Sequence, residues 1–462
     1  MSNQGAQWLA REIRTGKLSA VEAVQAHLNR IRGTHQEINA AVQILEDSAL
    51  SQAVEADKQL ASGKPGGPLL GVPFSIKDSI NVAGFRTTSG TTGLKNAAPA
   101  EADATLVARL RQAGAIPIAK TNLPDLLFSF ETDNLIYGRT NNPYDLSRTP
   151  GGSSGGESAL IAAGGSPLGL GSDAFGSVRL PAAFCGLAGI KPTSGRLPRT
   201  GHVPGPGGWP EAIWQIGPMA RRVEDVMLAM RLLAYADGED LWCPPVPLAE
   251  PVLDFRKLRV AFYADNGFAT CQPYIKAAVE KCARFLAEEG AQVREERAPG
   301  VADVFELEMA LFGADGGEGI DDYLMEIGSH NVHPLQTNFI DYMRPHKCSA
   351  AQLATRFAQW DQYRAGLAEF FTRYDVLLTP VYTQTALKHG GSMQQENFRG
   401  FSYTMAWSVG GTPAATVRCA EDMRLPINVQ VVAKPWNDML TLQVCEAIEQ
   451  QFGGWQPPSL SS

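Results

Sequence analysis

Residues 150–181 read PGGSSGGESALIAAGGSPLGLGSDAFGSVRLP, with Ser153 and Ser177 each set in its own glycine-rich cluster. The only ionisable side chains in the stretch are Glu157, Asp173 and Arg179, and no histidine stands near either serine in sequence. A hydroxyl is a weak nucleophile until a neighbour takes its proton, so the pattern asks where a base would come from. Locally, ESALIAAG reads as a helix and SPLGLGSD (166–173) as a short apolar strand.

The same alternation recurs outward from this stretch. LLGVPFSIKDS (69–79), IPIAK (116–120), KLRVAFYAD (257–265), DVLLTP (375–380) and INVQVVA (427–433) read as buried strands. TLVARLRQAGA (105–115), YIKAAVEKCARFLAEEG and a segment near 437–451 read as helices. Residues 1–62 read as a helical arm, with Ser19 and Glu22 forming a capping box ahead of Val21, Val24, Leu28 and Ile31 at helical spacing. The expectation is an α/β protein: residues 63–462 as a single large domain with a mixed central sheet covered by helices, and 1–62 as its arm. GHVPGPGGWPEAIW (201–214) reads as loop, with Trp209 and Trp214 as candidate roof for a pocket, and 300–350 shows no regular pattern.

Composition narrows the class. The chain of 462 residues is 44% hydrophobic and 19% charged, with a net charge of −8 and scattered basic residues, so nucleic acid is not expected as a partner. Seven cysteines, widely spaced and without a C-x-x-C pair, indicate neither a disulfide framework nor a zinc site. No secretory signal or membrane-spanning run is visible, so a cytoplasmic protein is expected, and a homodimer is compatible with the sequence.

Four readings compete for the glycine–serine region. GLGSDA (169–174) fits a dinucleotide fingerprint formally, but no G-K-[ST] follows GGSSGG. GGSSG (151–155) fits a nucleophile elbow, with His202, His330, His333, His346 and His389 as downstream candidates, yet leaves SDAFGS unexplained. Close backbone packing explains single glycines better than two serine-bearing loops. A serine nucleophile served by a lysine needs that lysine neutral, its pKa lowered by burial; Lys77, ending the apolar run GVPFSIK, is placed for this. His330 and His333 have H-x-x-H spacing, but Pro334 follows and no third ligand is evident; Cys185 reads as a buried small hydrophobe.

GVPFSIKDSINVAG together with TPGGSSGGESALIAAGGSPLGLGSDAFGSVRLPAAFCGLAGIKPTSGR resembles the amidase signature family, strongly over about 60–230 and weakly through GGTPAATV and LPINVQVV. The resemblance implies an amidase that hydrolyses carbon–nitrogen acyl bonds with a Ser–Ser–Lys triad, one serine lying in a cis peptide. By motif position it implies Lys77 as base, Ser153 as bridging serine and Ser177 as nucleophile. It further implies the backbone of Ala174, Phe175, Gly176 and Ser177 as oxyanion hole, Ser154 as a hydrogen-bond support of Lys77 and Ser153, and Asp173 with Arg179 as a brace. No metal or cofactor is implied, and the partner is a small amide-type substrate. The GGSSGGE and KPT segments are similar to those of fatty acid amide hydrolases, which implies an apolar acyl group. The family usually has glycine at the place of Phe175, so this loop must either accept an ordinary backbone angle there or shift, and the ring is a candidate lining of the acyl pocket. An amidotransferase-type subunit, releasing ammonia from glutamine, is the alternative; such members usually carry Gln where Leu180 stands. A catalytically silent binding protein is a third reading, favoured only by Phe175.

Overall fold

Short apolar runs bounded by glycine or proline become the strands of one mixed sheet. The computed structural model describes residues 2–205 and 207–460; Pro206, inside the expected 201–214 loop, lies outside them. The eleven strands are β1 (Ala41–Ile44), β2 (Pro73–Lys77), β3 (Ile116–Thr121), β4 (Leu168–Asp173), β5 (Ala188–Lys191), β6 (Gln215–Ala220), β7 (Arg259–Phe262), β8 (Gln292–Glu295), β9 (Val376–Pro380), β10 (Ala414–Asp422) and β11 (Leu425–Ala433). Their spatial order is β1-β3-β2-β4-β6-β5-β10-β11-β9-β7-β8.

β2 pairs in parallel with both β3 and β4, and β7 pairs in parallel with β8 and β9; all other neighbours are antiparallel. The fold is therefore the α/β arrangement with a mixed sheet and helical cover expected from the sequence. The parallel trio β3-β2-β4 matters most for chemistry, because Thr121, Lys77 and Asp173 close its three carboxyl ends on one side of the sheet.

The amino-terminal 62 residues hold three helices, and the capping box forms: Glu22 N donates to Ser19 Oγ at 3.1 Å and Ser19 N to Glu22 Oε2 at 2.9 Å. They also supply β1, which the sequence reading missed and which pairs with β3 through Ala41↔Thr121. The irregular 300–350 stretch folds into Val304–Phe312, Glu318–Glu326 and Pro334–Met343, short helices separated by glycines. His333 caps the last of these, its Nδ1 accepting from Leu335 N at 3.3 Å. The main apolar core lies between sheet and helices, and a separate cluster including Phe130, Phe175, Leu180, Phe339 and Phe398 sits beside the carboxyl ends of the trio.

Candidate active site

Both serines of the quoted stretch stand immediately before helices. The helix Gly155–Ala162 follows Ser153 and Ser154, and Arg179–Phe184 follows Ser177. The Gly152–Ser153 peptide is cis. Ser154 N donates to Ser177 O at 3.1 Å, which ties the two loops together.

Lys77, at the end of β2, is fully buried, and its Nζ lies 2.6 Å from Ser153 Oγ, 3.1 Å from Ser172 Oγ and 3.5 Å from Ser172 O. Among the described residues no carboxylate stands within ion-pair distance of that nitrogen. Burial drives its pKa well below that of a free lysine, against the more distant pull of Asp173 and Glu157. Glu157 is also fully buried; it accepts hydrogen bonds from Ser75 and, at 2.7 Å, from Thr121, and burial pushes it up to about 8.

Ser154 does not bond Lys77 or Ser153. Its Oγ instead exchanges hydrogen bonds with the backbone of Ser172, at 3.2 Å each way. The contact is possible because residue 171 is glycine: a Cβ there would lie 2.7 Å from Ser154 Oγ. The partner beside Lys77 is thus Ser172, which the sequence reading passed over. Ser172 Oγ continues to His202 Nε2 at 3.1 Å, and that nitrogen also lies 3.0 Å from Ser79 Oγ, while Nδ1 faces Pro204 O at 3.3 Å. Burial, with Lys77 beside it, lowers His202 to about 3, so its ring is neutral. Among the described residues no histidine bonds Ser153 or Ser177; His389 turns to Leu146 O.

Asp173 and Arg179 form an ion pair of 2.9 Å with neither side chain exposed. Burial alone would raise the Asp173 carboxyl, but the guanidinium outweighs it and holds the group below its ordinary range. Asp173 also accepts from the amides of Gly176 (2.7 Å), Val178 (3.1 Å) and Arg179 (3.2 Å), and Arg179 reaches Thr404 O, Gln430 Oε1 and Ser408 Oγ. The Gly176 amide is thus engaged by the brace. The amides of Ala174, Phe175 and Ser177 make no hydrogen bond among the described residues.

Phe175 itself has an ordinary backbone angle, and the left-handed turn falls on Gly176 at φ +124°, where a Cβ would meet Thr404. The ring at 175 points into a cavity of about 200 Å³ shared with Ser153, Ser177, Phe128, Phe312 and Phe339. Trp214 lines this cavity and lies 4.6 Å from the His202 ring; Trp209 stands behind Phe312 at 6.2 Å. Leu126 and Leu127, at φ +48° and +67°, also line it, a strained turn of the kind that collects at ligand sites. Cys185 is buried against Ser158, and burial pushes its thiol up to about 12.

The sequence profile of the family described as Amidase matches residues 22–442. The chain belongs to the amidase family. The A-type subunit of the glutamyl-tRNA(Gln) amidotransferase of Carboxydothermus hydrogenoformans is 32% identical to this amidase, over 96% of both chains. Human fatty-acid amide hydrolase 2 is 30% identical, over 97% of this chain and 89% of the relative. A solved fatty acid amide hydrolase superposes with a TM-score of 0.88 at 26% identity, covering 98% of this amidase and 86% of that structure. The protein is a hydrolase of carbon–nitrogen bonds other than peptide bonds. Among the described residues no helix is long and apolar enough to cross a membrane.

Proposed function

We propose that the amidase cleaves its substrate through an acyl-enzyme on Ser177, with Lys77 and Ser153 as the proton relay. The observation that carries this reading is a buried lysine held against serine hydroxyls rather than a carboxylate, 2.6 Å from Ser153. Neutral Lys77 draws a proton from Ser153, and Ser153 draws one from Ser177 as its oxygen attacks the carbonyl carbon. The amides of Ala174, Phe175 and Ser177 supply the oxyanion donors, each worth about 3–4 kcal/mol of barrier by comparison with measured oxyanion holes. Ser153 then returns the proton to the leaving nitrogen, and water hydrolyses the ester on Ser177.

Hydrogen-bond accounting gives His202 a supporting part. A neutral amine has two N–H donors and one lone pair. If Ser172 donates its hydroxyl proton to His202 Nε2, it offers Lys77 only a lone pair. The amine's own lone pair then remains for the Ser153 proton. His202 is a positioning residue in this scheme.

The test is Ser177→Ala assayed by product mass spectrometry beside the wild type. Turnover should fall about 10⁵–10⁶-fold, the scale seen when a serine nucleophile is removed, and no acyl adduct should form. Near-normal turnover by the variant sinks the mechanism.

Release of ammonia from glutamine for a tRNA-dependent partner is the second reading, supported by the relatives named as A-type amidotransferase subunits. Against it stand the apolar cavity and Leu180, buried in the aromatic cluster at the place where such members usually carry Gln. Glutamine offered to the wild type separates the two.

A further inference from the structure

Five phenylalanines line the cavity beside Ser177, and the rings of four of them meet in a closed cycle. Phe175 meets Phe312 at 4.9 Å and Phe339 at 5.9 Å; Phe128 meets the same two at 6.2 and 5.8 Å. The far side is backed in turn. Phe339 packs on Phe398 at 5.8 Å and Phe312 on Trp209, while Phe130, the fifth lining ring, meets Phe339 at 6.0 Å. Close-packed rings of this kind do not swing aside singly, so the cup ends where Phe312 and Phe339 stand. Its volume of about 200 Å³ lies between that of an engineered cavity that holds benzene, about 150 Å³, and the roughly 300 Å³ at which drug-sized sites begin.

A second cavity of about 360 Å³ shares His202, Pro204, Glu211 and Trp214 with the first and opens among Arg199, Glu239, Asp240 and Trp242. His202 bonds Ser172, and Ser172 bonds Lys77, so the relay side of Ser177 adjoins this wider space, where the charged side chains of Arg199, Glu239 and Asp240 stand. The leaving nitrogen takes its proton from the relay and must face that side. The acyl group then enters the aromatic cup.

Resting on the acyl-enzyme reading above, we infer that this amidase takes amides whose acyl part is a single aromatic ring on a short tether, of the arylacetyl type, held edge-to-face by the four rings. The expectation of an apolar acyl group is thereby narrowed from a chain to a compact ring. In the step concerned, the Ser177 Oγ–carbon bond forms and the carbon–nitrogen bond breaks. The amine leaves with the proton carried through Ser153, and water later releases the aryl acid.

Phenylacetamide, oleamide and acetanilide would be offered to the wild type, Ser177→Ala, Phe339→Ala and the milder Phe312→Leu. The wild type should cleave phenylacetamide with kcat/KM about 100-fold above oleamide, and quenched protein should carry a phenylacetyl mass on Ser177. Phe339→Ala should lower that kcat/KM about 10–100-fold while raising turnover of the long chain; if it fails to fold, Phe312→Leu should give the smaller change of the same sign. Oleamide preferred by the wild type overturns the inference and leaves the Ser177 mechanism standing. Acetanilide preferred, with an acetyl mass on Ser177, also overturns it, because the ring then sits on the amine side. If none of the three is cleaved, the inference is overturned as a statement about substrate; calorimetric binding of phenylacetamide to Ser177→Ala, weakened by Phe312→Leu, would keep the ring site alone, and absence of binding would remove that too.

Discussion

Two fully buried lysines stand on neighbouring parallel strands of the sheet and meet opposite fates. Lys120, near the end of β3, lies 2.8 Å from the Asp78 carboxylate and donates to Thr87 Oγ1 and Arg86 O, each at 2.6 Å. Lys77, at the end of β2, meets only the hydroxyls of Ser153 and Ser172 and one carbonyl. Burial lowers both, but Asp78 opposes the loss of charge on Lys120, whereas the carboxyls nearest Lys77 are engaged elsewhere. Asp173 is taken by Arg179, and Glu157 by Ser75 and Thr121. The same side chain at the same depth becomes an ion-pair partner in one place and a candidate base in the other. What decides is the neighbour's charge, not burial.

The largest expected effect breaks that comparison directly. Lys77→Ala should remove about 10²–10⁴-fold of activity, the usual worth of a general base. It should cost only about 1–2 kcal/mol of stability, since the hydroxyls left behind can turn to other partners. Lys120→Ala should do the reverse. It strands Asp78 as an unpaired buried charge, a loss of about 3–5 kcal/mol. Urea unfolding and steady-state kinetics on both variants check this. Equal stability losses, or near-normal turnover by Lys77→Ala, would show that the two lysines are not so divided.

A smaller effect sharpens it. With His202 removed, the Ser172 hydroxyl can turn its proton toward the Lys77 lone pair and compete with Ser153. His202→Ala should lower kcat about tenfold, the worth of one hydrogen bond. A hydrogen bond to the neutral amine favours the neutral form, so the acid limb of the kcat–pH profile should move to lower pH. In the wild type His202, at about 3, stays neutral throughout and takes no part in that limb. His202→Gln, which keeps an acceptor, should recover part of the loss. An unmoved limb with a changed KM would assign His202 to the cavity wall instead.

These contrasts also explain what was legible beforehand. Lys77, Ser153 and Ser177 could be singled out together only through the resemblance of their glycine-framed motifs to the family's, whereas the strands were readable where apolar residues run unbroken. β6 was not, since QIGPMA carries a glycine and a proline that argue against a strand. The three helices of 300–350 were hidden by their brevity and by Gly313, Gly316, Gly317 and Gly328 between them. Ser172 lay inside the quoted stretch, but only the tertiary structure aims it at Lys77. His202 reaches it from a loop thirty residues on. Glu157 was named only as an ionisable residue of the stretch, and it is buried against β2 and β3.

Glu157 supplies the smallest effect, and its sign can be worked out. Its carboxyl is raised from 4.5 to about 8 by burial. Between those values the folded protein keeps the proton and the unfolded chain releases it. The folded state therefore binds more protons, and its stability falls as pH rises through the window, by up to about 1.4 kcal/mol per pH unit from this group alone. Asp225 and Glu449, raised to about 6 and 7, tilt stability the same way, so the difference between proteins is the informative quantity. Glu157→Gln can still serve Ser75 and Thr121 and cannot ionise. Relative to the wild type it should gain stability steadily from pH 5 to pH 8, read as diverging urea midpoints, with turnover within a few-fold at neutral pH. Parallel midpoints would mean that Glu157 is ionised in the fold. A carboxylate would then stand near Lys77 after all, and the contrast with Lys120 would narrow to one of distance.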